Sequence, residues 1–99
     1  MLGITGQPLT GFNQGSQTVT TAGTRVQLNT ASVPCRVVLI TGKLANTGYI
    51  YVGDVNVSST AYGKRLLAGD SITIPIGNLN LVYLDASVNG EGVDYLYAA

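Results

Sequence analysis

Histidine and tryptophan are absent from this 99-residue chain, and cysteine occurs once. Without histidine there is no imidazole to act as a general base or to bind a metal. A single Cys35 excludes an intramolecular disulfide framework and a thiolate zinc site, leaving only an intermolecular bridge open. Charge is scarce too. Five basic and five acidic residues make up 10% of the chain and cancel, whereas a soluble domain usually carries roughly 25% charged residues. Lys64 and Arg65 are the only adjacent basic pair, so no basic patch is available for nucleic acid or for an anionic membrane surface. No apolar run approaches the ~20 residues of a membrane span. The opening Met1-Leu2-Gly3-Ile4-Thr5-Gly6 lacks the basic and apolar regions of a signal peptide, and reads as the start of a protein made inside the cell. The glycine-rich phosphate, nucleophile-elbow and dinucleotide patterns do not occur, so no enzyme activity and no cofactor are expected.

What is present is apolar, small and polar without charge. Hydrophobic residues reach 45%, beside 13 glycines and six tyrosines. Such a surface must be built from Thr, Asn, Gln, Ser and Gly, without the net charge that keeps free small proteins apart. It suits a chain that works assembled against neighbours.

Residues 1–16, MLGITGQPLTGFNQGS, hold no period of 2 or 3.6 and read as an extended N-terminal arm. Leu2, Ile4, Leu9 and Phe12 are its candidate anchors on a neighbouring subunit. From residue 17 to 99 the pattern becomes that of one β-domain. Thr24–Leu28 alternates, with Val26 and Leu28 on one side. Cys35–Thr41 carries Cys35, Val37, Leu39 and Thr41 on the face expected inward, and Val38 and Ile40 on the other, which predicts a central or doubly covered strand. Tyr49–Gly53 sets Ile50 and Val52 opposite Tyr49 and Tyr51. Ser71–Ile76 turns three isoleucines to one side, and Pro75 predicts an edge strand. Leu81–Ala86 and Val93–Ala98 flank an Asn89-Gly90-Glu91-Gly92 loop. Seven or eight short strands with turn signals between them, and no helical period, predict an all-β antiparallel sandwich. Its expected core is Val26, Leu28, Val37, Leu39, Ile50, Val52, Ile72, Ile74, Leu84 and Leu96.

Few residues carry chemistry. Cys35, opening an apolar strand after Pro34, reads as a small buried hydrophobe with a raised pKa. Asp54, Asp70 and Glu91 fall in turns. Asp85 and Asp94 flank one hairpin, and as neighbours they would suit Ca²⁺ or simply be exposed strand positions. The tyrosines stand out: Tyr49 with Tyr51, and Tyr95 with Tyr97, share strand faces, and Tyr83 precedes the last strand. They read either as an interface or sugar platform, or as cross-strand pairs that stabilise the sheet.

Five stretches taken together carry a resemblance: Ser32-Val33-Pro34-Cys35, Asn46–Gly53, Leu67–Pro75, Asn78–Ala86 and Gly92–Tyr97. Across Val33–Ala98 the chain resembles small β-sandwich virion proteins of tailed bacteriophages, including capsid decoration (cement) proteins, with related modules in head fibres and tail parts. The resemblance implies a jelly-roll-like sandwich and a structural virion protein that binds the major capsid protein lattice on the capsid exterior, often as a homotrimer, after synthesis in the bacterial cytoplasm. The alternative it leaves is a head-fibre, neck or tail module that recognises a carbohydrate or host receptor. It brings no catalytic, metal or cofactor residues, and implies neither nucleic-acid nor membrane partners.

Overall fold

The structure, a computed structural model, describes residues 11–99. Its strands are β1 (Phe12–Val19), β2 (Val26–Gln27), β3 (Val37–Gly42), β4 (Ile50–Gly53), β5 (Lys64–Leu66), β6 (Ser71–Pro75), β7 (Tyr83–Ala86) and β8 (Glu91–Ala98), with a 3-10 turn at Leu79–Leu81. No α-helix occurs among the described residues. All pairings are antiparallel, in two four-stranded sheets ordered β1-β8-β3-β6 and β2-β7-β4-β5. Only the β4–β5 connection stays within one sheet; each of the others crosses to the opposite layer. The expected all-β antiparallel sandwich is therefore present.

Both layers feed one core. Val19, Val38, Ile40, Val93 and Tyr95 come from the first sheet, and Ile50, Val52, Leu66, Leu84 and Ala86 from the second, with Leu28 closing from just past β2. The β3 expectation is corrected in phase. Val38 and Ile40 are fully buried, while Val37 and Leu39 face outward. The strand is central, between β8 and β6, as its two apolar faces implied. Because both faces are apolar, alternation alone does not choose between them. Register does: Leu39 lies opposite Leu96, and Ile40 opposite Tyr95. Leu96 is thus outward as well, while Val93, Tyr95 and Tyr97 turn in.

The arm boundary also moves. Residues 12–16, read from sequence as part of the arm, belong to β1, which pairs along its whole length with β8. Phe12-Asn13-Gln14-Gly15-Ser16 has no apolar alternation, because the ladder is made by backbone groups and the outward side of this strand stays exposed. The expected anchors Leu2, Ile4 and Leu9 lie outside the described residues.

Sheet edges are blunted. Ile76 donates to Arg36 O (3.2 Å) and Gly42 to Asp70 O (2.9 Å), which sets Ile74 and Ile72 as the hydrogen-bonded partners of β3. Pro75 therefore turns its missing N–H to the free edge, where it costs no ladder bond, as its edge placement predicted. On β1 the free-edge amides of Gln14 and Thr18 donate to the side chains of Asn13 and Gln17, both at 2.9 Å. Where β5 and β6 are both edges, the layers part into an apolar groove of about 310 Å³ lined by Val52, Ile72, Ile74, Ile76, Leu81 and Val82. This opening leaves the inward isoleucines only partly buried.

Gly15 lies directly opposite Tyr95, and a Cβ there would sit 2.6 Å from the tyrosine ring. The ring is held, since Asn29 Nδ2 donates to Tyr95 Oη at 3.1 Å. Gly15→Ala is expected to lower the urea midpoint by the equivalent of about 1–3 kcal/mol with an unchanged m-value. A Gly15→Ala/Tyr95→Leu double variant should lose less than the sum of the two single changes; strict additivity would show that the ring and the glycine are not coupled.

Candidate functional site

The structure separates the groups the sequence offered for a polar centre. Asp85 and Asp94 are not neighbours. Asp85 lies on β7 in the second sheet, and Asp94 on β8 in the first. Asp94 meets Lys43 at 2.8 Å in an exposed ion pair of the kind worth little. Asp85 is buried, and its Oδ1 accepts the amides of Gly23 (2.9 Å) and Ala86 (2.8 Å). It pins the β1–β2 loop, where Gly23 has φ +90°. The chain order suggested proximity for the two aspartates, but the β7–β8 connection changes sheets. No cluster of three metal-ligating residues occurs among the described residues. Cys35 is buried, its Sγ donates to Ile76 O at 3.2 Å, and burial pushes its thiol pKa up. It fills space, as expected.

Glu91, read from the sequence as a turn residue, is instead the first residue of β8, and its carboxylate ties that strand to the β3–β4 loop. Its carboxylate accepts the Thr47 amide and hydroxyl and the Gly48 amide, at 2.6–2.9 Å. Asn46 adds two bonds to the Gly92 backbone, and Ser87 Oγ accepts the Tyr49 amide. Together they tie the β3–β4 loop to the start of β8. Backbone donation from Thr47 and Gly48 holds the Glu91 pKa below its ordinary value.

The outer face of the first sheet is graded. Cross-strand register places Phe12, Ala98, Val37 and Pro75 in one row, Gln14, Leu96, Leu39 and Thr73 in the next, and Ser16, Asp94, Thr41 and Ser71 in the third. The face therefore runs from apolar to polar along the strands. Phe12 is 74% exposed, Leu96 39% and Leu39 37%. With Val37, Thr73, Tyr97 and Ala98 they border a shallow depression of about 360 Å³. Apolar surface of this kind is unfavourable against water.

The outer face of the second sheet is aromatic. Tyr51 stands between Asp85 on β7 and Arg65 on β5. Its ring is 6.3 Å from Tyr49 and 5.1 Å from Tyr62, centroid to centroid, and both contacts are tilted. The Arg65 guanidinium carbon lies 4.3 Å from the Tyr49 ring centroid and 5.9 Å from that of Tyr62, within cation–π range.

The tyrosine readings thus divide. Tyr49 and Tyr51 do share an outer face, but Tyr51 is only 7% exposed because Tyr62 and Arg65 lie against it. Tyr95 (8% exposed) packs in the core and Tyr97, 6.1 Å from it, is partly buried against that core, so the two do not form an exposed pair. Tyr83 is in the other sheet. Val37, Leu39 and Leu96, assigned from sequence to the core, are surface residues. Tyr62 and Arg65 were missed as surface partners, because only the β4–β5 hairpin brings them over Tyr51 and Tyr49. Comparisons with protein-family models, with curated proteins and with solved structures each find no match to this chain.

Because the folded-state pKa of Glu91 is lowered, its contribution to stability is present above the unfolded-state value and is lost as pH falls through the folded one. Glu91→Gln should therefore lower the urea midpoint at neutral pH, with a gap to wild type that narrows on acidification below the usual glutamate range. A gap that stays constant from neutral to acid pH would refute the ionic part of this tie.

Proposed function

We propose that this protein is a structural component of a bacteriophage virion, a decoration protein that binds the exterior of the assembled head and stabilises it. The exposed apolar row on the outer face of the first sheet carries this reading, since its composition suits a contact with another protein. Two further features support it. The strand orders β1-β8-β3-β6 and β2-β7-β4-β5, with nearly every connection crossing between layers, suit a jelly roll, a fold shared by viral capsid proteins and lectins. The resemblance of Val33–Ala98 to phage virion sandwiches points the same way.

The mechanism is mass action. A protein that binds the closed shell and not its separated subunits shifts the equilibrium toward the shell. Phe12, Leu39 and Leu96 would seat on a capsid subunit. The segment before β1 acts as the arm, with Leu2, Ile4 and Leu9 reaching a neighbour. Copies made in the host cytoplasm would gather as homotrimers at lattice positions on the capsid exterior. With no net charge, attachment should depend little on salt.

The test adds purified protein to heads that lack it and measures stoichiometry and the temperature of shell disruption. Wild type should bind at lattice stoichiometry and raise that temperature. Removing residues 1–10 leaves β1 whole and should weaken attachment, whereas cutting at residue 16 would remove most of the edge strand β1. Leu39→Lys/Leu96→Asp, an opposite-charge pair at two outward positions, should fold normally yet bind at least about tenfold more weakly. A folded double variant that saturates heads like wild type would refute the surface, and a protein missing from purified particles would refute the role.

A further inference from the structure

We propose that the Tyr62–Arg65 corner of the second sheet is a binding site for an acidic saccharide, a pyranose ring bearing a carboxylate. The inference is independent of where the protein sits on a particle.

The β4–β5 hairpin builds this corner. Asp54 turns the chain, with its Oδ1 accepting the Asn56 amide at 2.9 Å, and Ser58 and Ala61 close a tight loop through a bridge. The chain then returns through Tyr62 and Gly63 into β5. Tyr62 remains 41% exposed, although Tyr51 supports its ring from within the sheet. A supported, partly exposed ring is a stacking floor, because it offers apolar area at little entropic cost. Beside it lies a shallow depression of about 330 Å³ lined by Gly53, Asp54, Asn56, Ala61, Tyr62 and Gly63. Its polar side-chain groups are a carboxylate, an amide and the Tyr62 hydroxyl, which together accept from and donate to neighbouring hydroxyls.

Arg65 supplies the charge selection. Its guanidinium rests near the rings of Tyr49 and Tyr62, and no carboxylate lies within ion-pair distance of it among the described residues. A guanidinium preorganised on aromatic faces, with its donors unclaimed by an acid, is suited to a planar carboxylate. Asp54 repels that same group, so the ligand is oriented: acid toward Arg65, hydroxyls toward Asp54 and Asn56, ring over Tyr62. The mixture of an aromatic floor, hydroxyl-matching groups and one cation favours a sugar acid over a protein partner, which would call for a larger desolvated apolar centre.

The probe is methyl β-D-glucuronide, titrated into ¹⁵N-labelled full-length protein, with methyl β-D-glucoside as the neutral control. Glucuronide should shift the amides of residues 53–56 and 61–65 in a saturable manner, and the glucoside should bind at least about tenfold more weakly. Arg65→Gln should reduce glucuronide affinity about tenfold and erase the preference over glucoside, while Tyr62→Ala should weaken both sugars. Both positions are exposed, and unchanged spectra elsewhere will show that the variants fold. Equal binding of the two sugars, shifts that persist in Tyr62→Ala, or no shift at these amides overturns the proposal. If the amides stay silent while Arg65→Gln abolishes attachment to heads, the corner is a protein contact instead.

Discussion

The pairing of β3 with β8 is the contact on which the rest of the molecule depends. β8 carries β1 on one side and β3 on the other, and β3 carries β6, so this ladder sets the register of the entire first sheet. Leu39 opposite Leu96 places Val38, Ile40, Val93 and Tyr95 inside and the Phe12–Leu39–Leu96 patch outside. A slip of one residue would exchange the two sets. Each face is apolar enough to be buried, so the exposed one is a surface of unusual composition. The partners are distant in sequence, and folding must close long loops before this ladder forms.

Uncharged polar side chains do here what ions do elsewhere. Asn13 and Gln17 satisfy free-edge amides of β1. Asn78 accepts from Val33 and Asn80 and donates to Ser32, closing the far end of the sandwich. Asn46 and Ser87 join Glu91 at the near end. No buried side-chain polar atom among the described residues lacks a partner. A chain with little charge can therefore still specify its loops, and its low charge leaves copies free to crowd together without long-range repulsion.

The two outer faces have different physical characters and suit different tasks. The first sheet presents an apolar patch fading into hydroxyls and an ion pair, which favours a dry protein contact with a polar rim. The second presents tyrosines braced by an arginine, whose rings are held by one another and whose polar tips remain wet. The proposed shell contact uses the first and the proposed saccharide site uses a corner of the second. They lie on opposite layers, so one protein can do both at once.

The sequence by itself determined the all-β class, the turn positions, the edge placement of Pro75, the inward Ile72 and Ile74, and the burial of Cys35. Each of these follows from local chemistry: period-2 alternation, a missing N–H, a small apolar side chain. Tertiary structure alone decided which face of β3 and β8 is buried, that residues 12–16 form a strand, that Asp85 and Asp94 part company, and that Tyr62 and Arg65 close over Tyr51 and Tyr49. Those outcomes depend on which distant strand supplies the partner. A strand with two apolar faces, or a segment bonded only through its backbone, carries no local mark of that choice.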